Sequence, residues 1–221
     1  MAVDTQRSGP AARFPVRDLI DALLGGDDDE AFELAAAMLA KTGSRTAVFA
    51  DMLHSALLEI NNLWYAGHVS HRDEVRGAVA VRRIVCALAA TPVARPVPRG
   101  SRCILAVPPG DPHDVGLTML VLALEDHGWS VEMPGPGASL REVAEHVVAR
   151  RPRLFGLSAG HQPPLPEVER AISTIRRARV PVLVGGVAFN RRPDLWRRLG
   201  AGGLGTDVRV GVVLAQRLGL R

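Results

Sequence analysis

The chain has 221 residues, with 27 Lys and Arg against 23 Asp and Glu and a net charge of +4. No apolar run reaches the roughly 18 residues a membrane helix needs, and the opening MAVDTQRSGPAAR lacks the apolar centre of a secretory signal, so a cytoplasmic protein with a disordered lead over 1–13 is expected. Cys86 and Cys103 stand far apart and read as small buried apolar residues, which excludes a disulfide frame and a zinc cluster.

The first third of the chain reads as helices only. FPVRDLIDALL carries Val16, Leu19, Ile20, Leu23 and Leu24 at helical spacing, and Gly25-Gly26 ends it. DDDEAFELAAAMLAKTG starts on acids that suit a helix N-terminus and finishes on Lys41 and Gly43. A third helix is expected from Ser44 through AVFADMLHSALLEINNLW to near Gly67, and a fourth from Ser70, with Asp73 completing a capping box. Short connections between them predict a four-helix bundle over 14–91.

The proline-rich stretch that follows has no period and reads as a semi-rigid linker over 92–100. From 101 to 221 short apolar runs alternate with helical ones. Strands are expected at CILAVP, WSVEM, LFGLSA, PVLVGG and GGLGT, with helices in HDVGLTMLVLALEDHG, SLREVAEHVVARR, LPEVERAISTIRRA, PDLWRRLG and DVRVGVVLAQRLG. This alternation predicts an α/β domain, a doubly wound five-stranded parallel sheet in which ligands bind at the carboxyl ends of the strands.

Lys41 is the single lysine, so the basic balance is arginine, and enrichment in Ala, Val and Pro beside it points to genome composition. Pairs such as Arg82-Arg83, Arg150-Arg151, Arg176-Arg177 and Arg197-Arg198 read as solvated helix faces. No helix-turn-helix, zinc-finger or aromatic-studded RNA motif is present.

One loop concentrates chemistry. GDPHDVG, residues 110–116, follows the first strand and places Asp111 two residues before His113. A carboxylate there can take a hydrogen bond from one ring nitrogen and point the other outward as a metal ligand or a base. No second histidine, cysteine or carboxylate cluster stands nearby to complete a protein-only metal site, so a metal would arrive inside a cofactor. Taken alone, the loop is equally explained by an ordinary histidine with Asp111 or Asp114 as a turn or N-cap residue. His54, His127, His146 and His161 read as structural or exposed.

Further along, Ser158 in GLSAG and Gly185-Gly186 in LVGGVAF fall at the ends of the third and fourth strands. The order D-x-H-x-x-G, Ser, Gly-Gly on one sheet edge resembles the cobalamin-binding domain, whose fold is Rossmann-like or flavodoxin-like. The resemblance implies that His113 is the lower axial cobalt ligand and that Asp111 tunes it. It also implies that Gly116, Ser158, Gly185 and Gly186 line the channel for the displaced nucleotide tail. In the bundle, Trp64 precedes Glu74 with nine residues between. That segment is similar to the cap of light-sensing transcription regulators that bind adenosylcobalamin, where a tryptophan covers the upper face and a Glu-His pair follows.

Two departures qualify the resemblance. Val75 stands where those regulators carry the histidine of the pair, and His71, one turn earlier, is the candidate substitute ligand. Their MerR-type DNA-binding domain is absent, and the lead is too short for one, so direct DNA binding is not expected. The implied function is a cobalamin-dependent, light-responsive sensor, not an enzyme, that acts through a partner regulator and assembles with copies of itself. The alternative is a methyl-corrinoid carrier of a methyltransferase system, loaded with methylcobalamin. Such carriers follow the motif with Gly-Lys-Asn, where this chain has Gly116-Leu117-Thr118.

Overall fold

Apolar residues at helical spacing turn one face inward: in α1 (Val16–Gly25) Leu19, Ala22 and Leu23 are buried. The computed structural model describes residues 16–93, 100–135, 137–160 and 163–219. The expected lead, most of the expected linker and His161 lie outside the described residues. α2 (Asp28–Thr42) starts on Asp27, whose carboxylate accepts from the Glu30 amide at 2.9 Å, and stops at Gly43 in the left-handed region.

The third helix departs from expectation. α3 (Arg45–Val48) passes into a π-helical turn (Phe49–Leu53) before α4 (His54–Tyr65). That wide turn presents Phe49, Ala50, Met52 and Leu53 together to the interior, a broad apolar arc. The Ser55 hydroxyl donates to the Ala50 carbonyl at 3.3 Å within the loosened ladder. α5 (His71–Ala89) opens on the expected capping box of Ser70 and Asp73.

Five strands follow: β1 (Ser101–Ala106), β2 (Trp129–Glu132), β3 (Leu154–Ser158), β4 (Val182–Gly185) and β5 (Gly203–Gly205). All pairings are parallel, in the order β2-β1-β3-β4-β5, as the alternating pattern predicts. Between and after them run α6 (Val115–Asp126), α7 (Leu140–Arg150), α8 (Leu165–Arg177), two short helices α9 (Val187–Asn190) and α10 (Leu195–Arg198), and α11 (Val208–Gly219). α9 is an addition to the elements expected.

One face of the sheet packs Phe155 and Leu157 against Val143, Val147, Val168 and Ile172 of α7 and α8. The other packs Leu105 against Met119 and Val212 of α6 and α11, and this core runs on without a break into Leu23, Phe49, Leu53 and Ile84 of the bundle. The bundle is therefore stacked on the α6/α11 layer.

A fully buried arginine sits at that junction. Arg45 of α3 donates from Nε to Asp126 at 2.7 Å, pairs a second time with the same carboxylate, and donates to the Leu88 and Ala89 carbonyls at 3.0 and 2.9 Å. One guanidinium thus ties α3, the end of α5 and the end of α6.

Two expectations about single residues are corrected. Cys86 is exposed, because the buried stripe of α5 falls on Ala80, Val81, Ile84, Val85 and Leu88 and leaves position 86 outside it. Arg82 and Arg83 are more than a solvated face: Arg83 pairs with Asp28 at 2.7 Å and Arg82 with Asp114. Among the described residues no helix is long and apolar enough to cross a membrane.

Candidate functional site

The strand order reverses between β1 and β3, so the loops leaving those two strands flank the crevice where doubly wound sheets take ligands. The β1 loop is the GDPHDVG segment. Gly110 adopts a φ of 74°, and the Asp111 amide donates to the Pro108 carbonyl at 3.1 Å, which turns the chain sharply back. Asp111 Oδ1 then accepts from the His113 amide at 3.0 Å and lies 2.9 Å from His113 Nδ1. The other oxygen, Oδ2, accepts from the Gly160 amide of the β3 loop at 2.5 Å.

The result is a relay from a backbone amide through a carboxylate to an imidazole. Asp111 is nearly buried, its side chain 11% exposed, while that of His113 is 45% exposed. A carboxylate at this distance from Nδ1 favours the tautomer that donates to it and turns Nε2 toward a ligand.

Gly160 is the member that sequence reading missed. A Cβ at this position would lie 2.5 Å from His113 Nδ1 and 2.6 Å from Asp111 Oδ1, so only glycine admits the relay. The signal was present as the last residue of GLSAG, but it becomes meaningful only once β3 lies beside β1.

The other expected sheet residues are brought onto the same edge. Ser158 pairs with Gly185 in the β3–β4 register, and Gly185 with Gly205 across β4–β5, which makes a row of small residues at the strand ends. A Cβ on Gly185 would stand 3.0 Å from the Gly205 carbonyl oxygen. Gly186, with a φ of 89°, has no room for one against the Ala159 backbone. Close backbone packing, against β5 for Gly185 and against the segment after β3 for Gly186, thus accounts for both glycines. Gly116, by contrast, faces open space at the start of α6.

The end of the bundle meets this edge. The Trp64 ring stands 5.2 Å from the His71 ring, and His71 Nδ1 is 3.6 Å from Glu74 Oε2, so Trp64, His71 and Glu74 form one cluster. Val75 lies 44% exposed beside it. Next to Trp64, the Tyr65 ring carries the Arg191 guanidinium at 4.1 Å, and Arg191 follows α9 after the Gly185-Gly186 turn. Arg209 at the start of α11 pairs with Asp51 at 2.5 Å. Asp114 stands at the N-cap position of α6, one of the places expected for it, but its carboxylate makes no cap bond and goes to Arg82 of α5.

His54, at the start of α4, is largely desolvated, and burial holds its imidazole below the ordinary value, with the nearby Asp207 charge opposing the shift. His127 and His146 are structural as expected, the first at 2.7 Å from the Ala123 carbonyl and the second at 2.5 Å from Glu132.

Known proteins are similar to this chain in sequence and in fold. Over 155 residues the chain is 28% identical to the HTH-type transcriptional repressor CarH of Myxococcus xanthus, which covers 68% of this chain and 50% of the repressor. It is 36% identical over 111 residues to the HTH-type transcriptional repressor CarA of the same organism, covering 48% of this chain and 38% of that one. The chain thus spans half or less of the curated relatives it matches. In fold it is similar to the monomethylamine corrinoid protein of Methanosarcina barkeri, with a TM-score of 0.70 at 15% identity over 90% of this chain and 96% of that one. The model of the B12 binding domain matches residues 101–213, more than half of the chain, and the protein belongs to that family.

Proposed function

We propose that the protein holds cobalamin between the bundle and the sheet edge, with His113 as the lower axial cobalt ligand, and that it works as a light-responsive sensor reporting to a partner protein. The observation that carries this reading is the relay from Gly160 through Asp111 to His113 at the point where strand order reverses. Among the described residues no group of three His, Cys, Asp or Glu could hold a metal ion. A single oriented imidazole suits a metal whose other positions are already filled by a macrocycle. Gly116 lets such a ligand approach the backbone of α6, and the row from Ser158 through Gly185 offers a low-walled path for the nucleotide tail. Gly186 shapes that path by its turn rather than by leaving space.

When bound, adenosylcobalamin supplies an upper ligand that illumination removes. The chain's part is to cover that face with Trp64 and Glu74, with His71 between them as the imidazole that replaces the one missing at Val75. Contacts from the bundle to three segments of the sheet domain, Arg82 to Asp114, Tyr65 to Arg191 and Asp51 to Arg209, support a change at the upper face reaching the surface that a partner or a second copy reads. The matched relatives are named as transcriptional repressors, which supports a regulatory output.

The test is to load the protein with adenosylcobalamin in the dark and record absorption and size-exclusion elution before and after light. Both are expected to change. No change in either overturns the sensor reading, and transfer of a methyl group from the methylcobalamin-loaded protein to a thiol acceptor by a methyltransferase replaces it with the carrier reading.

A further inference from the structure

Asp114 occupies the N-cap position of α6, where an aspartate ordinarily accepts from the amides of the first turn. Its side chain makes no such bond. The backbone of Asp114 is nevertheless fixed at the helix start, because its carbonyl accepts from the Thr118 amide at 2.8 Å and from the Thr118 hydroxyl at 3.1 Å. The carboxylate is turned to Arg82, on the α5 helix of the bundle, and forms an ion pair with it. A local cap has been exchanged for a contact to a residue 32 positions earlier.

Along the chain His113 therefore stands between two residues whose carboxylates are held from different parts of the molecule. Asp111 is held by the Gly160 amide of the sheet, and Asp114 by the Arg82 guanidinium of the bundle. Neither Arg82 nor Asp114 is deeply buried, with side chains 42% and 38% exposed, and pairs of that kind add little to folding. Its value lies in geometry: the residue next to the imidazole is anchored to the module that covers the opposite end of the site.

We propose that Arg82 is a positioning residue for His113, which sets the seat of the imidazole and makes it follow the position of the bundle. The role of the imidazole as cobalt ligand is taken from the functional reading above, whereas the positioning itself is a property of the ligand-free protein.

The experiment compares Arg82→Ala, Arg82→Lys, Asp114→Asn and the reversed pair Arg82→Asp/Asp114→Arg with wild type and with His113→Ala. Two signals are read: the 15N shifts of the His113 ring nitrogens without ligand, and aquocobalamin uptake with its absorption spectrum. Arg82→Ala and Asp114→Asn are expected to move the ring-nitrogen shifts and to weaken uptake about fivefold. Arg82→Lys and the reversed pair are expected to recover most of both. Unchanged shifts in Arg82→Ala and Asp114→Asn overturn the proposal, as do moved shifts with unchanged uptake in a protein that binds. A wild type that takes up no aquocobalamin, or a His113→Ala variant that binds as wild type does, overturns the cofactor reading alone, since the ring nitrogens still report on Arg82.

Discussion

The Gly160 amide donates to Asp111 Oδ2 at 2.5 Å across the crevice between the β1 and β3 loops, and no side chain fits at position 160 beside that bond. Gly160→Ala is therefore expected to push Asp111 and His113 apart while leaving the sheet intact. Corrinoid uptake, followed by absorption titration with aquocobalamin, is expected to fall by at least about tenfold, the equivalent of ~1.4 kcal/mol. Uptake equal to wild type would show that the relay does not orient the imidazole.

Trp64, His71 and Glu74 form one cluster on the bundle. Trp64→Ala removes the ring that is proposed to cover the upper face, and retention of adenosylcobalamin in the dark is expected to drop by about tenfold, in line with the contact area an aromatic ring provides. The spectrum of what remains bound should keep its histidine-ligated form, because His113 is proposed to hold the cobalt from the opposite face. His71→Ala is expected to change the spectrum reached after light and not the one before it.

The sign of the pH response at His54 follows from its burial. The folded protein binds a proton at this imidazole less readily than the ordinary value of 6.5 would give, so the unfolded chain takes up protons first as the pH falls. Stability is full above that ordinary value and declines as the pH drops from it toward the lowered folded value, then levels off. Urea denaturation between about pH 7.5 and pH 5 should show the decline in wild type. His54→Gln should flatten that part of the profile.

The two thiols should separate cleanly. Burial pushes Cys103 up to about 12, with the Glu125 charge adding to the effect, whereas Cys86 lies exposed on α5. Iodoacetamide at neutral pH is expected to modify Cys86 in the native protein and Cys103 only after denaturant is added, as mass spectrometry of the peptides would show.

Much of the architecture was legible because burial imposes a period on sequence. The five strands are short apolar runs between turn residues, and the helices repeat their apolar positions at 3.6, so the order of elements could be read directly. His113 and Asp111 were legible for a similar reason, being two residues apart in one turn. Gly160, Arg45 and Arg82 were not, because their partners lie 49, 81 and 32 positions away and nothing local marks them. Asp114 was legible as a cap position but its partner was not, because the Arg82 guanidinium that takes its carboxylate is brought there only by the folded bundle. Cys86 shows the same limit, since its side of α5 is decided by the stripe around it.

Arg45 is expected to be the most sensitive single position for folding. Removing it takes the buried cation from Asp126 and a donor from the Leu88 and Ala89 carbonyls, and Arg45→Ala should cost about 3–5 kcal/mol by denaturant titration, whereas replacing both partners with apolar residues should recover much of it.

The buried clasp also limits how this chain can be recombined. A chimera that grafts the helices onto a sheet without an acid at position 126, or the sheet onto helices without an arginine at position 45, would carry one charge of the pair into the buried seam without the other. Workable exchanges would have to transfer positions 45 and 126 together, which makes this pair the smallest unit that any graft across the seam must keep.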